Sequence, residues 1–232
     1  MQAVSTRRLP PSSAAAGEQV AGHSRNTASP PGPSPWSGGR RRRDRALKRE
    51  AVIRAAALAF RERGYHNTSL DDIAAELGVT KPTLYYYVRS KQDLLFECFT
   101  AGLAGIFAAL DEARLSAASG CERLRIVLRG YALAITSEFG WCMVRAEDQD
   151  LDAALGARIR ARKAEIDQQI RALIREGIVD GSIRDCDAKL TAFAIAGALN
   201  WIAHWHRQAE ELGPGEIADR FIGFFEEGLR PR

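Results

Sequence analysis

Cysteine, methionine and histidine are scarce in this chain. Its 232 residues include four cysteines, two methionines and four histidines. Cys98, Cys121, Cys142 and Cys186 lie far apart, and no pair makes C-x-x-C. That spacing argues against a zinc site or a redox motif and fits small buried residues in a reducing cytosol. No metal and no cofactor is expected. Long apolar runs are missing as well. None approaches the about 20 residues that cross a bilayer, so a soluble, cytoplasmic protein is expected. Catalytic signatures are absent too: there is no G-x-S-x-G, no H-E-x-x-H and no Walker loop. No combination of residues suggests a triad, so no catalytic residues and no enzyme are expected.

Acidic residues are nearly missing from the first 43 positions, which hold seven Arg and one Glu. The remainder is balanced, and residues 101–232 carry a small acidic excess. A polyanionic partner would meet the N-terminal part first. Residues 1–43 are rich in Pro, Ser, Gly and Ala and show no apolar periodicity. Such a segment cannot bury enough surface to offset its ordering entropy, so a disordered arm is predicted. Arg7-Arg8 is not followed by an apolar stretch, which rules against an export signal. The composition also fits an organelle transit peptide or a mis-assigned start. Arg40–Arg43 abut the first helix, either as extra phosphate contacts or as a solvated charge run.

The stretch Leu70–Lys91, LDDIAAELGVTKPTLYYYVRSK, carries the densest signal. Ser69 can cap a helix, with Asp72 as its capping-box partner. Ile73, Ala74 and Leu77 give that helix a buried face, and Gly78 supplies a left-handed stop. Val79 plugs the corner. Thr80 can cap a second helix over Lys81–Tyr87, with Pro82 in its first turn, where a missing N–H costs nothing. Helix, Gly-containing turn, helix is the layout of a DNA-reading helix-turn-helix. Upstream, residues 44–63 are predicted as a long helix with Val52, Ile53, Ala56, Ala59 and Phe60 on one face, stopped by Gly64. Tyr65 should pack against that face. Downstream, Ser90 and Asp93 form a second capping box opening a helix at Lys91. The predicted core is Ile53, Phe60, Ile73, Leu77, Val79, Leu84, Val88 and Leu95. It is small for an independent domain, so it should lean on the C-terminal remainder of the chain.

Together, Val52-Ile53-Arg54-Ala55-Ala56, Phe60, Gly64-Tyr65, Thr68-Ser69-Leu70, Ile73-Ala74, Leu77-Gly78-Val79 and Thr83–Lys91 resemble the DNA-binding domain of the TetR family of transcriptional regulators. The resemblance covers about residues 46–96. It implies an all-α homodimer on a double-stranded palindromic operator, with a C-terminal helical domain for a small-molecule effector. The implied organisation is an arm at 1–43, a helix-turn-helix domain at 44–96 and an effector-binding and dimerisation domain at 97–232. Leu84 and Val88 face the core by spacing alone, which leaves Lys81, Pro82, Thr83, Tyr85, Tyr86 and Tyr87 on exposed or flanking faces. The resemblance places Lys81, Pro82, Thr83 and Tyr85 nearest the bases, and Tyr86, Tyr87 and Lys91 nearest phosphates. Ser69 and Thr80 offer phosphate hydrogen bonds or serve only as caps. Any one of the tyrosines could instead pack against the first helix. Asp71, just after the first cap, is acidic where some relatives touch a base.

Residues 101–232 read as a run of helices without internal repeats or strands. One continues from Lys91 to about Leu115, and Gly120 marks a break. A stripe from Leu124 to Ile135 ends near Gly140, followed by the apolar bridge Trp141–Val144. A long helix from Leu155 should stop at Gly177, with a turn at Asp180-Gly181. The last two helices are predicted over Leu190–Trp205 and from Pro214. Phe107, Tyr131, Trp141, Met143 and Arg145, with Asn200 and Trp201, are candidates to line an effector pocket. Trp201, Trp205, Phe221 and Phe224 are candidates for a dimer interface. Gly197–Ile202 resembles a subgroup that senses acyl-CoA thioesters. His204 and His206 point to different helix faces, which argues against one shared metal. The acidic cluster Glu147-Asp148-Asp150-Asp152 is explained by the helix N-terminus it precedes.

These readings favour a DNA-binding repressor released by an effector, without a membrane role. The alternative is a helical DNA- or partner-binding protein indifferent to sequence and lacking an effector.

Overall fold

The computed structural model describes residues 41–145, 150–206 and 212–231. Most of the arm predicted to be disordered, residues 1–40, lies outside them, as do Glu147 and Asp148. The described residues form α-helices joined by turns, with no strand among them.

Helix α1 spans Arg41–Arg63. It begins three residues before the expected position 44, because arginine is a good helix former and the basic run simply extends the first turn. Gly64 ends it with φ of 83°. Helix α2 is Leu70–Glu76, opened by the reciprocal Ser69–Asp72 capping box. Gly78 follows at φ of 64°, the left-handed conformation that a turn between two helices needs here. Helix α3, Lys81–Tyr85, is two residues shorter than expected. Tyr86 and Tyr87 leave it in a turn, with the Tyr87 amide bonded to the Leu84 carbonyl at 2.9 Å. Thr80 precedes α3, but its hydroxyl caps nothing; it pairs with the Thr83 hydroxyl at 2.9 Å. Ser90 accepts from the Asp93 amide, the forward half of the expected box.

Helix α4, Lys91–Leu115, serves both ends of the molecule. Leu94, Leu95, Cys98 and Phe99 enter the core of the reading head. Leu103, Ile106 and Leu110 enter the core of the body. The expected boundary at residue 96 therefore falls inside a continuous helix rather than in a linker. By length and a mean hydropathy of 1.6, α4 could cross a bilayer, contrary to the expectation that no apolar stretch is long enough. Half of that window is buried against neighbouring helices, as suits a core helix. The head core also takes Cys142, Leu151 and Ile159 from the body. This is how so small a three-helix unit acquires enough buried surface.

The body contains α5 (Gly120–Thr136), α6 (Gly140–Val144), α7 (Ala153–Val179), α8 (Ala188–Trp205) and α9 (Pro214–Leu229). Helix α5 is its hub and packs on α4, α7, α8 and α9. Gly177 does not stop α7, contrary to expectation. The helix runs on to Val179 and turns at Gly181, whose φ is 76°. Gly177 is needed for close approach instead. A Cβ on facing Gly120 would lie 2.3 Å from the Gly177 amide nitrogen, so the start of α5 and the end of α7 meet backbone to backbone. Gly120 marks the expected break: α4 ends at Leu115, and Gly120 opens α5 behind the Ser119–Glu122 capping box.

Asp180 ties this crossing together. Its carboxylate accepts from the Gly120 amide at 2.6 Å and the Ser182 amide at 2.9 Å. The Ser182 hydroxyl, then these amides, hold its pKa below the ordinary 3.8. A carboxylate depressed in the folded state stabilises above its unfolded pKa, and the benefit fades as pH falls through the folded value. Thermal melts should therefore show Asp180→Asn less stable than the parent near neutrality, with the gap closing below about pH 3.8. An equal gap at both ends of the titration would remove Asp180 from this role.

Candidate nucleic-acid interface and inner cavity

Leu84 is fully buried and Val88 nearly so, which turns the opposite face of α3 outward. Lys81, Pro82, Tyr85 and Tyr86 are exposed, and Thr83 and Tyr87 are half-buried. Tyr85 and Tyr86 keep 47% and 63% of their surface, a large aromatic display for a protein surface. Tyr87 packs against the head core and meets the Tyr86 ring edge-on at 5.2 Å. The phenol rings suit sugar or thymine methyl, and their hydroxyls suit phosphate.

Lys81 is held by Asp71 at 2.7 Å, bridging the two helices of the motif. The Asp71 contact raises the Lys81 pKa and keeps it cationic. Both partners are solvent-exposed, so the pair is weakly held and yields readily to a nucleic-acid acceptor. Ser69 is exposed, but its hydroxyl donates to Asp72 at 2.7 Å, and this bond lowers the Asp72 pKa. Lys91 lies 4.2 Å from the centroid of the Tyr65 ring and 3.4 Å from the His66 carbonyl. Burial lowers its pKa, with Asp150 and Asp72 opposing the shift.

One contributor was invisible to motif reading. The Arg45 guanidinium sits over the Tyr86 ring, 4.9 Å from its centroid. Arg45, Arg49, Tyr85, Tyr86, Tyr87 and Arg89 line one surface depression. The sequence hint was the basic run at the start of α1, but its pairing with Tyr86 needs the tertiary fold. Lys91→Ala should weaken operator binding evenly across sequences and lower the salt slope by about one unit. Gel shifts at several salt concentrations measure this; a changed base preference would contradict it. Changes at Lys81 or Tyr85 should alter base preference instead.

Head and body are joined by polar contacts as well as by α4. Arg54 pairs with Glu138 at 2.9 Å; within the head, Arg49 pairs with Glu97 of α4 at 2.6 Å. Asp150, nearly buried, faces His66 Nε2 at 2.9 Å. The Tyr65 hydroxyl donates to the Asp150 carbonyl at 3.5 Å, and burial pushes its pKa up. Of the acidic cluster, Asp152 caps α7 by accepting from the Leu155 amide at 2.8 Å.

A pocket of about 280 Å³, open on one side, lies among α4, α5, α6, α7 and α8 of the body. Leu103, Ile106, Met143, Val144, Ile166 and Ile170 make it apolar, and Tyr131 with Asn200 gives it one polar pair. The Tyr131 hydroxyl donates to Asn200 Oδ1 at 3.0 Å. Burial raises the phenol pKa, which keeps it a neutral donor. Lys163, Asp167 and Phe193 also line the cavity, and none was among the sequence candidates. Four candidates lie elsewhere. Phe107 faces a groove between α4 and α7. Trp141 packs against the head core, because α6 inserts between head and body. Arg145 is exposed at the end of α6, and Trp201 is exposed and stacked on His204 at 4.4 Å.

Trp201 therefore belongs to an outer face. With Leu190 and Phe193 it forms an exposed apolar stripe on α8, and Phe224 on α9 is 75% exposed. Trp205 and Phe221 are half-buried beside the body core.

A model of the "Bacterial regulatory proteins, tetR family" matches residues 52–98, which contain all of α2 and α3. A second, "Tetracyclin repressor-like, C-terminal domain", matches residues 117–229. The HTH-type transcriptional regulator RutR of Escherichia coli is 29% identical over 84% of this chain and 96% of its own. The HTH-type transcriptional activator FasR of Mycolicibacterium smegmatis is 26% identical over 76% of this chain and 84% of its own. The solved structure of AibR in complex with isovaleryl coenzyme A and operator DNA superposes with a TM-score of 0.67. It is 29% identical and covers 76% of this chain and 97% of AibR. An exposed helix-turn-helix on a helical body, and family models matching both parts, carry one conclusion: the chain belongs to the TetR family of transcriptional regulators.

Proposed function

We propose that this regulator is a cytoplasmic homodimeric repressor, without enzymatic activity, that grips a palindromic operator and lets go when a small molecule fills the body. The observation that carries the proposal is an exposed Lys81–Tyr86 face and a body pocket served by one continuous helix, α4, which follows the face in the chain and lines the pocket with Leu103 and Ile106. In this reading Lys81, Pro82, Thr83 and Tyr85 meet bases. Tyr86, Tyr87, Lys91, Ser69 and Thr80 meet phosphates. The α8–α9 face, with Trp201 and Phe224 at its centre, pairs with a second copy and sets the gap between two reading heads. Half-sites one helical turn apart, about 34 Å, require such a fixed gap.

The effector in this proposal is an acyl thioester of coenzyme A. The pocket offers an apolar bed for a short chain, a neutral polar pair, Tyr131–Asn200, for a carbonyl, and two charged groups, Lys163 and Asp167, in its lining. AibR, crystallised with isovaleryl coenzyme A, supports the same class. Coupling runs through the cavity walls. Met143 and Val144 of α6 line the cavity, and α6 packs against α1. A ligand that displaces α6 shifts α1 and the attached heads, so two heads no longer fit two half-sites.

Selection of bound DNA from random duplexes tests the DNA half. A palindrome is the expected result, and equal enrichment of all duplexes would sink it. Addition of isovaleryl coenzyme A to the selected complex tests the release half.

A further inference from the structure

The turn between α1 and α2 and the start of α4 meet one residue of the body. Asp150 lies between α6 and α7, and its side chain is nearly buried against the reading head. We propose that Asp150 is a positioning residue for operator binding, which holds Lys91 in place to meet a DNA phosphate. The proposal rests on the reading of Lys91 as a phosphate contact and adds what aims that side chain.

Burial gives the first reason. A carboxylate taken out of water is costly unless charged or polar partners face it. The Asp150 side chain keeps only 6% of its surface, whereas His66, which faces it through Nε2 at 2.9 Å, keeps 80%. Neighbouring Leu151 is buried in the head core, which fixes this stretch of the body to the head. The Tyr65 hydroxyl donates to the Asp150 carbonyl at 3.5 Å. Side chain and backbone of one body residue thus grip Tyr65 and His66, consecutive residues of the α1–α2 turn.

Lys91 stands on the same two residues. Its ammonium lies 4.2 Å from the centroid of the Tyr65 ring and donates to the His66 carbonyl at 3.4 Å. Burial lowers the Lys91 pKa, and the Asp150 and Asp72 carboxylates oppose that shift. Asp72 is already committed to the Ser69 amide and hydroxyl, both at 2.7 Å. Asp150 is the carboxylate that comes from the body. Ring, carbonyl and carboxylate together confine a side chain that is otherwise flexible. A side chain held in one conformation loses less freedom when it meets a phosphate.

The source of this hold matters for regulation. The helices on either side of Asp150 in the chain both line the body pocket, α6 with Met143 and Val144, α7 with Ile166 and Ile170. The phosphate contact is therefore aimed from the connection between two pocket walls, and not from within the reading head alone.

A double-mutant cycle on the full chain tests the role, with a duplex that the protein itself selects and fluorescence anisotropy read at several salt concentrations. The parent, D150N, K91A and the double variant are compared. D150N should lower operator affinity about three- to tenfold, up to the worth of one charge-assisted contact, and move the salt slope toward that of K91A. In the K91A background the same change should have no effect. Tighter binding by D150N would mean that the carboxylate only repels the duplex. Equal losses with and without Lys91 would mean that Asp150 acts on the fold at large. Either result, or unaltered binding, overturns the proposal. H66A alters an exposed residue on the other side of the contact and repeats the cycle should D150N fail to fold; the same pattern is expected of it, and the same outcomes overturn the role. If K91A binds as the parent does, the phosphate reading of Lys91 fails and the proposal with it. If K91A weakens binding and D150N does not, the proposal alone fails.

Discussion

Phe60→Ala should cost about 3–5 kcal/mol of stability, the usual range for removing a fully buried aromatic side chain. Phe60 has no exposed surface and meets the Tyr65 ring edge-on at 5.3 Å. The same buried core includes Phe99 of α4 and Ile159 of α7, so helices of both head and body must move for the void to close. Domains of this kind hold only about 5–15 kcal/mol in total, so the variant sits near the edge of folding. Because the head shares its core with the body, denaturant unfolding should remain one transition moved to lower concentration. Two separated transitions, with the body melting as in the parent, would show that the shared core does not couple them. A loss under about 1 kcal/mol would mean that the head repacks around the gap.

Trp201→Glu should have the largest effect on DNA binding. Trp201 is 62% exposed on the α8 stripe, far from the reading head in sequence and absent from the head core. Its replacement by a carboxylate leaves the monomer's interior untouched. In the proposed dimer that carboxylate would be buried without a partner beside its own two-fold copy, which is strongly disfavoured. Sedimentation should report a monomer. Operator affinity should then fall by about 10²–10⁴-fold, since the second head no longer binds as part of the same particle. A dimer that persists, with unchanged operator affinity, would move the interface off α8.

The helix-turn-helix was legible because everything that defines it is close in sequence. Ser69 and Asp72 are three residues apart, Leu84 and Val88 four, and Gly78 answers a local need for positive φ. Such features come from helix geometry and capping chemistry, which act over a few residues. The exposure of Tyr85 and Tyr86 came from the same count, since a short helix with Leu84 buried cannot bury three tyrosines in a row.

The inner cavity was less legible, for a definite reason. Tyr131, Met143 and Asn200 line it, whereas Trp141, Arg145, Phe107 and Trp201 face other surroundings. An apolar residue on a buried helix carries no label saying which neighbour it meets. Gly177 shows the same limit. Glycine after an apolar stripe reads as a helix stop, yet here it admits the backbone of Gly120 from another helix.

Local order was thus settled within the chain's own short segments: where most helices begin and end, which face of each turns inward, and that a DNA-reading motif is present. The fold alone decided which helix faces meet. It placed Arg45 on Tyr86, drew Cys142 and Ile159 into the head core, and set Arg158 and Arg162 over the rings of α4. Those contacts join residues tens of positions apart, and their geometry depends on how whole helices pack, which no short-range pattern encodes.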